Sequence, residues 1–275
     1  MSIEIAEEVN LSSPSAESDN EELNIDRFAL SSFRHIADQD YISARLSHRA
    51  RLFPQFLWQS QQCLEKYAKF LLLLHRVKAR RIGHSLERAF ALLDARLPFP
   101  IQLSDGTRRF VVYIDNIGRW RYLEGSQFVT GDELHRLDRA VWELRRYCQR
   151  RLARSPSGEA TPAQRQPWLK EVADAEANRQ AFRLSSGFIE RILDDEKHPA
   201  RSGLVWKNLC FGKRKRDRIF KVPMPVNFTN SALWLYPEII DRVEQYVHVP
   251  KEIAAACREA ISERAAQGQL TTNQT

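Results

Sequence analysis

The chain has little of what usually marks a secreted, metal-bound or membrane protein. Its four cysteines, Cys63, Cys148, Cys210 and Cys257, stand far apart and include no C-x-x-C pair. That spacing argues against a disulfide framework or a zinc site, and Cys63 and Cys148 fall on apolar helix faces where a free thiol acts as a small hydrophobe. No apolar run exceeds five residues, Phe70–Leu74 being one of them, whereas a membrane-spanning helix needs about 20. No basic stretch followed by an apolar one opens the chain, so a secretory signal is not expected and a cytoplasmic location is. There is no P-loop, no G-x-G-x-x-G, no H-E-x-x-H and no G-x-S-x-G, so no cofactor, metal or nucleotidyltransferase centre is expected.

Basic and aromatic residues are both absent from the long opening stretch. Residues 1–24 hold seven acidic residues, no Lys or Arg and no aromatic ring. They read as a disordered acidic tail, either simply solvated or shielding the rest in cis. The net charge is +7 and this tail contributes −7, which leaves +14 for the remainder. A basic body suits a polyanion partner. A second break in composition is the Pro/Ser/Gly-rich span 155–167, expected as a linker between a helical bundle at 25–154 and a smaller helical region at 168–267. The last residues, 268–275, are expected to fray.

Helical periodicity is strongest over Phe53–Leu74. Phe53, Leu57, Ser60, Leu64, Tyr67, Leu71 and Leu74 recur at steps of four and three, which builds one buried stripe. Pro54 suits a first helical turn. The opposite face carries Gln55, Gln62, Glu65, Lys66 and Lys69 and reads as a solvated edge, with Glu65–Lys69 a favourable i,i+4 pair. A preceding helix over 25–51 places Phe33, Ile36, Ala37, Tyr41, Ala44 and Leu46 in the core. A following one begins after His84, with Leu86, Phe90, Leu93 and Leu97 on one face and Pro98 and Pro100 beyond its end. Residues 101–129 read differently. Asp105-Gly106 is a turn signal, and Phe110–Ile114 is a β-branched, aromatic run expected as a short strand or irregular insert. Thr130 and Glu133 form a capping box, and Leu134, Leu137, Val141, Leu144 and Cys148 form the stripe of a last bundle helix reaching to about Leu152. Beyond the linker, helices are expected over 168–182, 186–193, 199–209, 237–247 and 250–265, with an extended segment over 219–228.

The run Gln61-Gln62-Cys63-Leu64-Glu65-Lys66-Tyr67-Ala68-Lys69-Phe70-Leu71-Leu72, followed by Gly83-His84-Ser85-Leu86, resembles the signature of the HEPN domain family. Tyr113-Ile114-Asp115, Arg121-Tyr122-Leu123 and the segment Leu137–Cys148 resemble a bacterial branch of it. The likeness covers residues 27–152 and leaves 165–265 unassigned. It implies a mainly α protein: an antiparallel four- or five-helix bundle with an aromatic insert, followed by the smaller helical region. It also implies an RNA- or nucleotide-binding role in a bacterial defence or toxin–antitoxin system, a homodimer through the bundle, and an antitoxin or nucleotidyltransferase as partner. Two alternatives stand beside it: a metal-independent endoribonuclease, and a non-catalytic dimerisation or adaptor module.

The catalytic branch of the family carries Arg-x(4–6)-His. His84 has Arg80 three residues away and Arg76 seven away by that count, so it misses the spacing on both sides. Arg191-x6-His198 and Arg242-x5-His248 match but are expected by chance in so Arg-rich a chain. Ribonucleolysis needs a base for the 2′-hydroxyl and a cation for the phosphate. His84 with Arg80 and Arg81 is the candidate set, or else His84 merely packs at a helix start. The densest basic run is Lys213, Arg214, Lys215 and Arg216 with Arg218 and Lys221, flanked by Trp206, Phe211 and Phe220. Cations for phosphates and rings for bases make it the candidate nucleic-acid contact, against a plain solvated turn. Arg108-Arg109 and Arg119-x-Arg121 with Trp120 and Tyr122 form a weaker version of it.

Overall fold

The expected central helix is α3, Phe53–Leu74, and thirteen of its 22 residues are buried. The computed structural model describes residues 14–117, 126–155, 158–178, 180–212 and 227–272. The predicted stripe of α3 is buried from Leu57 to Leu74, but so are Phe56, Gln61, Cys63, Phe70 and Leu72, and also Glu65 from the face expected to be wet. α3 is therefore enclosed by neighbours on most sides. Helix α1 (Pro14–Phe28), a π-helical turn (Ala29–Arg34) and α2 (His35–Arg49) precede it as one continuous rod. The link Ala50–Leu52 turns the chain back, with Arg51 in the left-handed region at φ 62°. Helix α4 (Leu86–Arg96) follows, with Leu86, Phe90 and Leu93 buried as expected.

Several local expectations are overturned. Residues 14–24 are helical, so the acidic tail is not disordered over that part; residues 1–13 lie outside the described residues. The run Phe110–Ile114 is not a strand but the middle of helix α5, Asp105–Ile117. Ser104 starts it, its Oγ accepting the Thr107 N–H at 3.2 Å. Thr107, Phe110, Val111 and Ile114 then share one buried face, so helical burial wins over the strand preference of Val and Ile. The strand comes later: β1 (Gln127–Val129) pairs antiparallel with β4 (Asn227–Thr229), Phe128 opposite Phe228. Helix α6 (Glu133–Arg145) stops short of Leu152. The carbonyl of Cys148, released from helical bonding, accepts the Arg34 guanidinium at 3.2 Å.

The span expected as a linker packs instead. β2 (Arg154–Ser155) and β3 (Gly158–Glu159) form a hairpin, and α7 (Pro162–Ala177) begins inside the span. Thr161 and Gln164 make a complete capping box, with Pro162 in the first turn, and Arg165 is buried against the carbonyls of Leu152 and Ala160. Val172, Ala175, Phe182, Leu184, Ile189, Ile192, Leu204 and Phe211 join the same core as the bundle. That core therefore includes α7, α8 (Phe188–Asp194) and α9 (Arg201–Val205).

Charges buried in the core fasten this region to the bundle. Arg145 places both edges of its guanidinium on carboxylates, Asp38 at 2.8 and 2.9 Å and Glu190 at 2.7 Å. Burial pushes the Asp38 carboxyl up, but the Arg145 charge and hydrogen bonds outweigh it and hold the group below its ordinary value. A Cβ on Gly187 would sit 1.8 Å from the Glu190 carboxylate and 2.8 Å from Arg145, so only glycine admits this clamp. Arg45 pairs with Asp138 and donates to the carbonyls of Gly203 and Trp206. Tyr41 donates to Asp138 at 2.7 Å and accepts from Asn208 at 2.8 Å. A separate small cluster, Leu233, Ile240, Val249, Ala254 and Cys257, is built by α10 (Ala232–Leu235), a 3-10 turn at Pro237–Ile239, α11 (Ile240–Val243) and α12 (Lys251–Thr272). Residues 268–272, expected to fray, continue α12. Among the described residues no helix is long and apolar enough to cross a membrane.

Candidate functional site

Three residues at helical spacing on α3 converge on the loop that follows it. Glu65, almost fully buried, accepts from Lys69 Nζ at 2.6 Å and from Gln61 Nε2 at 3.1 Å. Its carboxylate oxygens also stand 3.1 and 3.2 Å from Nδ1 of His84. Gln61 donates to the His84 carbonyl at 2.8 Å, so side chain and backbone of His84 are both tied to one face of α3. The Glu65–Lys69 pair foreseen as a solvated edge is thus an inward-facing carboxylate with a partly exposed cation. Glu65 is not free to be wet, because it serves Gln61, Lys69 and His84 at once, with Gln62 Nε2 at 3.5 Å as a fourth partner.

The loop geometry supports this placement. Gly83 takes φ +60°, a conformation glycine adopts without strain. Ser85 then caps α4, its Oγ accepting the Arg88 N–H at 3.3 Å. Asp115 reaches across from α5 and accepts the N–H groups of Leu86 at 2.8 Å and Glu87 at 3.2 Å and the Ser85 hydroxyl at 3.1 Å. The first turn of α4 is therefore filled by the protein's own carboxylate, and His84 is fixed from both sides while remaining 68% exposed.

With Nδ1–H directed at Glu65, Nε2 is the nitrogen left to face a ligand. A histidine so oriented accepts a proton at Nε2 when neutral and donates to an anion when charged. It borders a groove of about 450 Å³ lined by the polar Lys69, Arg80 and His84 and by the apolar Phe28, Phe33 and Leu73. The two phenylalanine rings meet edge to face, centroids 5.8 Å apart, and Phe28 is exposed. A cavity of similar size between Phe182, Arg201 and Phe211 has both its arginines engaged, Arg183 with Asp194 and Arg201 with the Leu193 carbonyl.

Of the three residues proposed from the sequence, the structure brings His84 and Arg80 to one groove. Arg81 is exposed but does not line it. Arg76, the other arginine near the family spacing, is committed to Glu22 and Asp26. Lys213, Arg214, Lys215, Arg216, Arg218 and Lys221 lie outside the described residues, as do Arg119, Trp120, Arg121 and Tyr122. Arg108 pairs with Asp94 at 2.8 Å. Glu65, Lys69 and Asp115 were missed as site residues. The i,i+4,i+8 spacing of Gln61, Glu65 and Lys69 was the available signal for the first two.

Residues 30–144 match the family model of the HEPN domain. This part of the chain is a HEPN domain. The span runs from the π-helical turn to the end of α6 and holds Glu65, Lys69, Arg80, His84 and Asp115. The helical bundle described above is the architecture of a HEPN domain, and the domain points to a nucleotide- or RNA-related function in general terms. No curated protein and no solved structure matches the chain.

Proposed function

We propose that the HEPN domain binds RNA or a nucleotide in the groove beside His84. The observation that carries this reading is the pairing, in one groove, of Lys69, Arg80 and His84 with the exposed ring of Phe28. Cations neutralise phosphate and an aromatic face stacks a base, and stacking on such a ring is worth about 1–3 kcal/mol per base. The basic run Lys213–Arg216 with Arg218 and Lys221 belongs to the same proposal as a second phosphate contact. A defence or toxin–antitoxin setting, a homodimer through the bundle and an antitoxin or nucleotidyltransferase partner rest on the family resemblance alone.

Anisotropy of a labelled single-stranded RNA, titrated with the full chain at two salt concentrations, tests the reading. Lys69→Gln and Arg80→Gln each weaken binding and lower the salt slope by about 1; Phe28→Ala weakens it with the slope unchanged. Affinities equal to wild type in all three variants refute the groove.

A second reading, metal-independent endoribonuclease, is favoured by the carboxylate-held Nδ1 of His84. Nε2 would take the proton of a ribose 2′-hydroxyl while its oxygen attacks the adjacent phosphorus. The bond to the 5′-oxygen would break, leaving a 2′,3′-cyclic phosphate and a 5′-hydroxyl protonated by water or by a second copy's His84. Arg80 would hold the phosphate. Incubation with RNA in EDTA decides it: cleavage by wild type that is lost in His84→Ala supports catalysis, and equal cleavage by both, or none by wild type, rejects it.

A further inference from the structure

Helix α1 is held to the protein by charge. From Asn20 to Phe28 its one buried side chain is a carboxylate, Asp26. Asp26 accepts from Arg76 at 2.9 Å and from Arg150 at 3.0 Å. One turn earlier, Glu22 accepts from Arg76 Nε at 2.8 Å and from Arg154. The three guanidinia come from separate places: the loop after α3, the 3-10 turn at Arg150–Leu152 and strand β2. Arg76 adopts φ 55°, a left-handed conformation that a non-glycine residue rarely takes. Three cations thus face two carboxylates, and the surplus is open to water, with Arg150 55% and Glu22 42% exposed. The pairs of the half-exposed Glu22 are the weaker, salt-screened ones, whereas Asp26 is buried.

The position of α1 ties this cluster to the groove. Ile25 and Phe28 of α1 and Leu73 of α3 wall a trough of about 710 Å³. Phe28 and Leu73 also line the groove at His84, so the two spaces share these two walls. α1 joins the bundle through the π-helical turn Ala29–Arg34, an element that is rare and frequent at functional sites.

We propose that Arg76, Arg150 and Arg154 form a phosphate site for a phosphodiester strand, and that α1 occupies it in cis through Glu22 and Asp26 until the strand displaces them. The inference deepens the RNA-binding reading and shares its ligand class. The two carboxylates stand where two phosphates of a strand would bind, on the same helix that carries Phe28 to the groove. A strand that brings further anions satisfies the third guanidinium as well, and α1 is released about the π-helical turn because its apolar hold is slight.

The test uses the full chain with a labelled oligouridylate and hydrogen exchange at the backbone amides of α1. Glu22→Gln keeps the shape of a partly exposed side chain and removes its charge. It binds RNA several-fold tighter than wild type, whereas Arg150→Gln with Arg154→Gln binds several-fold weaker. Saturating RNA speeds exchange over residues 20–28 and leaves α3 unchanged. Inorganic polyphosphate, which has no bases, speeds the same amides. Equal affinity for Glu22→Gln and wild type, or α1 exchange that is unchanged or slowed by both polyanions, overturns the site. If Lys69→Gln and Arg80→Gln leave RNA affinity unchanged while Glu22→Gln raises it, the groove reading fails and the arginine site stands; the reverse pattern removes the arginine site and keeps the groove.

Discussion

Two histidines carry a pH signature that follows from burial. His48 lies edge-on to Phe53 and Phe56, and burial with the nearby charge of Arg45 pushes its pKa down to about 4. His75, edge-on to Phe99, is pushed to about 4 by burial and by Arg165, Arg154 and Arg76. In the unfolded chain both titrate near the ordinary value of about 6.5. Between those limits the unfolded chain binds protons that the folded one refuses. Stability is therefore complete above about pH 6.5 and falls as the pH drops toward 4. From pH 7 to 5, before carboxylates begin to protonate, the loss is about 2 kcal/mol per ring. Urea midpoints across that window fall in wild type, and the double variant His48→Phe, His75→Phe shows a visibly shallower slope; identical slopes would remove the assignment. Neither ring announces this in the sequence, since its cause is the company of residues far along the chain. The same holds for Asp38, Arg45, Asp138 and Arg145, charged residues whose burial is legible only once their partners are placed.

At the scale of elements, what could be read from spacing was what depended on near neighbours. The stripe of α3 and the faces of α4 and α6 follow i,i+3,i+4 rules and appear as expected. The start of α6 shows the limit. Glu133 does reach back to the Thr130 and Gly131 N–H groups, at 2.6 and 2.8 Å, but the Thr130 hydroxyl lies 2.8 Å from the Glu133 carboxylate as a donor, with Asp132 as the residue before the helix. The capping box of Thr161 and Gln164 was present in the letters and hidden by a Pro/Ser-rich composition that resembles a linker. α5 was hidden by its β-branched residues. The candidate site was half legible: His84 by resemblance and Arg80 by the need for a cation beside it, but not the carboxylate that orients the ring. The cap of α4 supplied from α5 is open to test. Asp115→Ala leaves the Leu86 and Glu87 N–H groups without their acceptor and lowers stability by about 1–2 kcal/mol, measured as the shift of the urea midpoint. A loss within a few tenths of a kcal/mol would mean that water replaces the cap.

The whole molecule divides differently from its composition. One core spans the HEPN domain and the helices up to Phe211, and the small cluster around Ile240 shares no residue with it. A chain ended after Gly212 is therefore expected to keep a cooperative melt close to that of the full chain. One ended at Ser155 loses Glu190 from the Arg145 clamp and the Gly203 and Trp206 carbonyls from Arg45. Breaking the buried Arg145–Glu190 pair costs about 3–5 kcal/mol, and Arg45 keeps Asp138 but leaves two donors unmet, so the shorter fragment is expected to be insoluble or to melt without a sharp transition. A cooperative, soluble 1–155 fragment would show that the bundle stands without that support.

The clamp also bears on how the protein is made. Asp38 and Arg45 leave the ribosome early, yet Arg45 finds its last acceptors 158 and 161 residues later. Until those arrive, closing the first two helices of the bundle over α6 would seal charges without all their partners. The bundle is therefore expected to close fully only once the region up to α9 has emerged, and ribosome-arrested chains ended before Gly203 are expected to be cut by protease faster than the full chain.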